Sequence, residues 1–174
     1  MLKSSATNPD LSVITVTYCS AKQINKQMLS VQNGCRHISY EHIVVDNASS
    51  DDTLEQIHSF GGAVTCIKLT NNQGFAAANL AGYKKAKGKY LLFLNPDMIV
   101  EENSLDSMVS WMNLHPQTGI AGCRLLDFEG KHNPEAPPRR FPKISEQFLI
   151  LLKLDKIFPH ALDHYYCKDL DLSI

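Results

Sequence analysis

The chain is predicted to fold as a three-layer α/β/α domain around a mostly parallel sheet. Three observations point there: β-branched apolar runs alternate with helical repeats, each run gives way to polar residues, and glycine or proline separates the units. Leu11 to Tyr18, with Val13, Ile14 and Val16, reads as a strand buried on both faces. Ile24, Met28 and Val31 then recur at helical spacing, predicting a helix over residues 21–33 that Asn33-Gly34 stops.

The unit repeats along the chain. His42 to Asp46 is a second strand, Ser49 to Asp52 offers capping hydroxyls and carboxylates, and Leu54 to Phe60 is a helix closed by Gly61-Gly62. Val64 to Leu69 is a third strand, and Thr70 to Gly74 a polar loop. The alanine-rich helix Phe75 to Ala86 follows, with Gly88 placed to end it. Tyr90 to Leu94 is a fourth strand, which Pro96 interrupts. Leu105, Met108, Val109 and Met112 mark a helix face ending before Pro116, and Ile120 to Cys123 would be a fifth strand. In a sheet of this kind ligands bind beyond the carboxyl ends of the strands.

Beyond Leu126 the pattern changes to a proline-rich loop, Pro134 to Pro142, centred on Pro137-Pro138-Arg139-Arg140. Ile144 to Leu154 suits an apolar helix. Pro159 to Ile174 has few apolar residues to bury and predicts a loose end. The chain therefore divides into a flexible start (residues 1–10), a ligand-binding core (11–126) and an incomplete second region (127–174).

Composition narrows the function classes. The 44% hydrophobic and 20% charged shares are those of a globular domain. A net charge of -1 lacks the basic bias of nucleic-acid binders. No stretch is apolar for the about 18 residues that a membrane-spanning helix requires. Five scattered cysteines without a C-x-x-C pair, and seven histidines without H-x-H or H-E-x-x-H spacing, argue against zinc or a disulfide framework. Reduced, mostly buried thiols in a cytoplasmic protein are expected, either free or at the inner face of a membrane.

Three strand ends carry polar groups together: Thr17-Tyr18, Asp46-Asn47 and Asn95-Pro96-Asp97. A carboxylate there can accept from a pyrimidine ring nitrogen or coordinate a metal, whereas in the core it would incur a large desolvation cost. Asp46 suits the base and Asp97 the metal, while Tyr18 offers a face for stacking. Asn71 to Asn79 puts amides and small residues at a helix start, where free N–H groups and the dipole favour phosphate. Taken singly, each feature is more often a cap, a turn or close packing.

Taken in order, SVITVTY, VVDNASSDDT, NNQGFAAANLAGY, LLFLNPD and the later RRFP resemble family 2 glycosyltransferases of the Rossmann-like GT-A fold, especially bacterial rhamnosyltransferase-like members. The resemblance runs from about Leu11 to Phe141. It implies that Thr17, Tyr18, Asp46 and Asn47 line a nucleoside pocket, that Asn72, Gly74 and Asn79 border the sugar-diphosphate, and that Asp97, beside Asn95, ligates Mg²⁺ or Mn²⁺. Many GT-A enzymes carry Asp-x-Asp where this chain has Asn95-Pro96-Asp97, so metal and donor are expected to bind together.

The donor implied is a UDP- or dTDP-sugar, with rhamnose as the lean, and the acceptor a glycan or lipid-linked saccharide in cell-surface polysaccharide synthesis. The resemblance also implies that the general base lies beyond the C-terminus, with Asp169 and Asp171 not catalytic. Two other readings stay open: a sugar-phosphate nucleotidyltransferase, disfavoured because Tyr18 to Lys22 lacks a glycine-rich basic loop, and a non-catalytic binding module. An exposed Ile150-Leu151-Leu152 patch would suit docking of an acceptor-side half, the preferred reading, or a dimer or peripheral membrane contact.

Overall fold

A computed structural model of the protein describes residues 8–62, 64–127, 129–131, 139–158 and 160–168. Four strands, β1 (Leu11–Thr17), β2 (Tyr40–Asp46), β3 (Val64–Lys68) and β4 (Tyr90–Phe93), form one parallel sheet in the order β3-β2-β1-β4. Helices α1 (Ile24–Gly34), α2 (Thr53–Phe60), α3 (Phe75–Tyr83) and α4 (Ser104–Leu114) accompany it. The α/β fold expected from the alternating pattern is therefore present.

Strand periodicity assigns the two faces. Leu11 and Val13 pack with Val31, Leu105 and Val109 from α1 and α4, and Val44 packs with Ile24, Met28 and Ile57 from α1 and α2. Alternate residues Val16, Ile43 and Val45 point the other way and pack on Ala78 of α3. Alanine and glycine in α3 let that helix approach the sheet closely. A Cβ on Gly82 would lie 2.6 Å from Ile14 Cγ2 and 3.2 Å from Val45 Cγ2. On the α1 side a buried polar chain crosses the core: Gln27 Nε2 donates to Thr15 Oγ1 (2.8 Å), which meets His42 Nε2 at 3.0 Å. Burial pushes the His42 imidazole down to about 4, so the ring is neutral near pH 7.

Several expectations are corrected. Ile120 to Cys123 forms no strand; Ile120 is 94% exposed, so its apolar side chain has no sheet neighbour to justify pairing. Helix α3 ends at Tyr83, and Gly88 serves another purpose: its N–H donates to Ser12 Oγ (2.8 Å), and a Cβ there would collide with the Ser12 backbone. All five cysteines are free, but Cys19 and Cys123 are exposed rather than buried.

Contacts divide the chain into two compact units, Met1–Ala121 and Gly122–Ile174. In the second, α5 (Ile144–Leu151) stops three residues short of the continuous helix expected to Leu154, and a separate 3-10 turn, Leu154–Lys156, follows it. Turns over residues 160–168 bury Leu162 and Cys167, so this stretch is tied down more than its composition suggests. Arg140 anchors it by donating from its backbone N to Tyr165 O and from Nη1 to His164 O. Residues 1–7, the centre of the proline-rich loop (Pro134 to Pro138) and Asp169 to Ile174 lie outside the described residues.

Candidate functional site

β2 lies on one side of β1 and β4 on the other, so the chain reverses its direction of travel across the sheet between them. At such a switch point the loops leaving adjacent strands part, opening a crevice at the carboxyl ends. An open cleft of about 550 Å³ occupies this place, lined by the loops after β1 (Tyr18, Cys19, Ser20), β2 (Asn47), β3 (Asn72, Gly74, Phe75) and β4 (Asn95, Pro96, Asp97).

Six of the nine residues singled out from the sequence meet there: Tyr18, Asn47, Asn72, Gly74, Asn95 and Asp97. The other three are not on its wall. Thr17 and Asp46 are fully buried at paired positions of β1 and β2, and Asn79 turns back so that its Nδ2 donates to Phe75 O (3.0 Å). Thr17 Oγ1 has no partner among the described residues. Among the described residues, the Asp46 carboxylate is held only by long contacts from Ser49 N, at 3.3 and 3.4 Å. Two buried polar groups with unused hydrogen-bonding capacity thus stand one residue before Tyr18 and Asn47.

Asn47 holds the β3–α3 loop. Only 3% exposed, it donates from Nδ2 to Asn72 Oδ1 (2.9 Å) and accepts from Gln73 N through Oδ1 (2.9 Å). Asn72 Oδ1 also accepts from Gly74 N (2.9 Å). Gly74, at φ 80, then turns the chain into α3, whose start has no side-chain cap. The first α3 amides therefore remain available at the positive end of the helix dipole.

The β1–α1 loop is held in a comparable way by the turn after β2. Cys19 N donates to Ser49 Oγ (2.9 Å), Ser20 N to Thr53 Oγ1 (2.8 Å) and Ala21 N to Asp51 Oδ2 (3.2 Å). Hydrogen bonds from the Thr53 side chain and then from backbone N–H groups hold the Asp51 carboxyl below its usual range. Cys19 and Ala48 adopt left-handed backbone, φ 52 and φ 66, in the two loops so joined. A non-glycine residue there costs on the order of 1–3 kcal/mol.

Sequence reasoning missed Cys19, Ser20, Gln23, Phe75 and Pro96 as cleft residues. An aromatic directly after Gly74, at the start of the alanine-rich helix, was the signal for Phe75; Gln23 carried none, because only the fold brings it to the cleft. Asp97 and Asn95 are exposed, and neither side chain bonds to another described residue. No cluster of three His, Cys, Asp or Glu side chains suited to a metal occurs among the described residues. One carboxylate beside an amide fits a hard cation whose shell is completed by phosphate and water.

A family model described as Glycosyl transferase family 2 matches residues 12–165. Poly(ribitol-phosphate) β-N-acetylglucosaminyltransferase TarP of Staphylococcus aureus is 28% identical over 130 residues, which is 72% of this chain and 40% of that protein. The teichuronic acid biosynthesis glycosyltransferase TuaG of Bacillus subtilis, itself named as putative, is 30% identical over 60% of this chain and 42% of its own length. The structure of S. aureus TarS in complex with UDP-GlcNAc superposes with a TM-score of 0.57 and 25% identity, covering 62% of this chain and 32% of that one. A mannosyltransferase from Pyrobaculum calidifontis, in complex with GDP-Man and Mn²⁺, shares the fold with a TM-score of 0.54 at 22% identity, over 62% of this chain and 33% of that one. The chain thus spans well under half of each of these proteins.

Proposed function

The chain belongs to glycosyl transferase family 2, and from that premise we propose that it carries the nucleotide-sugar-binding part of an inverting glycosyltransferase of cell-surface polysaccharide assembly. The observation that carries this reading is the convergence of Tyr18, Asn47, Asn72, Gly74, Asn95 and Asp97 on one cleft at the strand-order switch. The unused capacity of Thr17 Oγ1 and the Asp46 carboxylate supports a base pocket beside it, in which a pyrimidine would replace the long Ser49 contacts.

In the proposed reaction an acceptor hydroxyl attacks the anomeric carbon, the bond to the donor's diphosphate oxygen breaks, and the nucleoside diphosphate leaves with the electron pair. Tyr18 and Phe75 supply aromatic surface for the base or sugar, and the first α3 amides face the diphosphate. Asp97, with Asn95 beside it, would hold Mg²⁺ or Mn²⁺, and such an ion would supply charge stabilisation to the diphosphate. The hydroxyl's proton goes to a base outside the described residues.

Rhamnose, the lean from the resemblance, has no support in the relatives' names, which give N-acetylglucosaminyl transfer for TarP. UDP-GlcNAc therefore heads the donors to test, followed by dTDP- and GDP-sugars. Calorimetric titration of the chain with each donor, with and without Mn²⁺, is expected to give saturable, metal-enhanced heat for at least one uridine or thymidine donor. Absence of binding by every nucleoside diphosphate tested would overturn the proposal. Turnover of a nucleoside triphosphate with a sugar 1-phosphate would favour the nucleotidyltransferase reading instead.

A further inference from the structure

Helix α5 is inverted relative to an ordinary surface helix. Its single buried side chain is Glu146, which accepts from Lys143 N (2.6 Å) and meets His164 Nδ1 at 3.4 Å. Ile144, Phe148 and Leu151 recur at i, i+4 and i+7, which places them on one exposed face; Ile144 is 75% and Leu151 76% exposed. Leu152, Ile157 and Phe158 extend the exposed apolar residues through the following turn, and Phe141 precedes the helix at 96% exposure. Seven large apolar side chains in one short segment are far more than the isolated exposed residues a soluble surface normally carries.

We propose that this face seats the second unit on an anionic lipid surface, with α5 lying in the plane of the headgroups. The acceptor-side half preferred from the apolar run alone gives no account of the lysines that border it, and charge complementarity selects a lipid surface instead. Lys143 precedes the apolar run while Lys153 and Lys156 follow it; all three are exposed and none is ion-paired with a described residue. Residues 139–158 contain Arg139, Arg140, Lys143, Lys153 and Lys156 against Glu146 and Asp155, and Glu146 is buried. Apolar side chains bordered by lysines match the acyl boundary and phosphate layer of an anionic membrane. A second copy of the chain would bring the same lysines against one another, which like-charge repulsion opposes. At eight residues α5 is too short to cross a bilayer, so the contact proposed for it is an interfacial one.

Sedimentation of the full chain with vesicles tests the proposal. The chain should pellet with equimolar phosphatidylcholine and phosphatidylglycerol, stay in solution with phosphatidylcholine alone, and be released from the anionic vesicles by salt. Lys153→Gln should lower the partition coefficient about fivefold, and Leu151→Asp should abolish pelleting. Both positions are exposed, so an unchanged melting temperature distinguishes lost docking from misfolding. Equal binding to both vesicle types, or binding to neither, overturns the proposal. So does a dimer in light scattering that Leu151→Asp dissolves while vesicles leave the wild type in solution, because the face would then be a self-contact.

Discussion

Replacing Asn47 with alanine separates the cleft's architecture from its chemistry. The substitution deletes two hydrogen bonds of 2.9 Å, to Asn72 Oδ1 and from Gln73 N, and leaves the Asn72–Gly74 bond in place. At about 1 kcal/mol for each net bond, the loss is about 2 kcal/mol, rising towards about 3 if water fails to reach the freed Gln73 N–H. For a chain of this size that lowers the melting temperature by about 4–8 °C. If the released β3–α3 loop must be re-ordered by the donor, the same free energy raises the apparent Kd for UDP by up to about 30-fold. Asn47→Asp retains an acceptor for Gln73 N but places an oxygen opposite Asn72 Oδ1. It should fall between wild type and alanine, and a flip of the Asn72 amide brings no relief, because the same Oδ1 accepts from Gly74 N. Thermal melts and calorimetric titrations on the three proteins check both halves. An Asn47→Ala protein that melts within a degree of wild type would refute the clamp, whatever happens to UDP; normal melting loss with unchanged affinity would show that the clamp does not shape the donor site.

Other outcomes follow from particular contacts. Asp97→Asn, at an exposed position, should leave the melting temperature unchanged while removing the Mn²⁺ enhancement of donor binding in calorimetry. Gly82→Ala should destabilise: forcing a methyl to within 2.6 Å of Ile14 Cγ2 costs about 1–3 kcal/mol, against roughly 1 kcal/mol gained in helix propensity, read as a lower urea midpoint. His42 has its folded pKa depressed to about 4 from 6.5, so the unfolded chain binds its proton first as pH falls. Its contribution is complete above about pH 6.5 and is lost progressively towards pH 4, about 2–3 kcal/mol by pH 4.5. Urea unfolding at pH 7.5 and pH 4.5 should show that loss, and His42→Gln should flatten it. The carboxylates held low, Asp10 and Asp51, keep their contribution above their usual pKa of 3.8 and lose it only below that value, outside this window.

Alternation of β-branched runs with helical repeats announced all four observed strands and their helices to within a few residues, because those signals are local. Asp46 shows where local reading stops: its place at a strand end was evident, but which way its side chain points depends on the register with Thr17 and on the loop that closes over it. Ile120 to Cys123 misled for a related reason. An apolar β-branched run becomes a strand only if a sheet edge is there to accept it, and that is a long-range condition.

The chain's own residues were thus enough to establish an α/β domain with a polar rim at the carboxyl ends of its strands. Tertiary structure decided which rim residues face the cleft and assigned Asn47 to loop clamping. It also placed Gly88 against Ser12, and exposed the apolar face of α5 while burying its glutamate. Periodicity encodes how a segment curls or extends, but a side chain's final surroundings come from segments far away in sequence, and no local pattern specifies those neighbours.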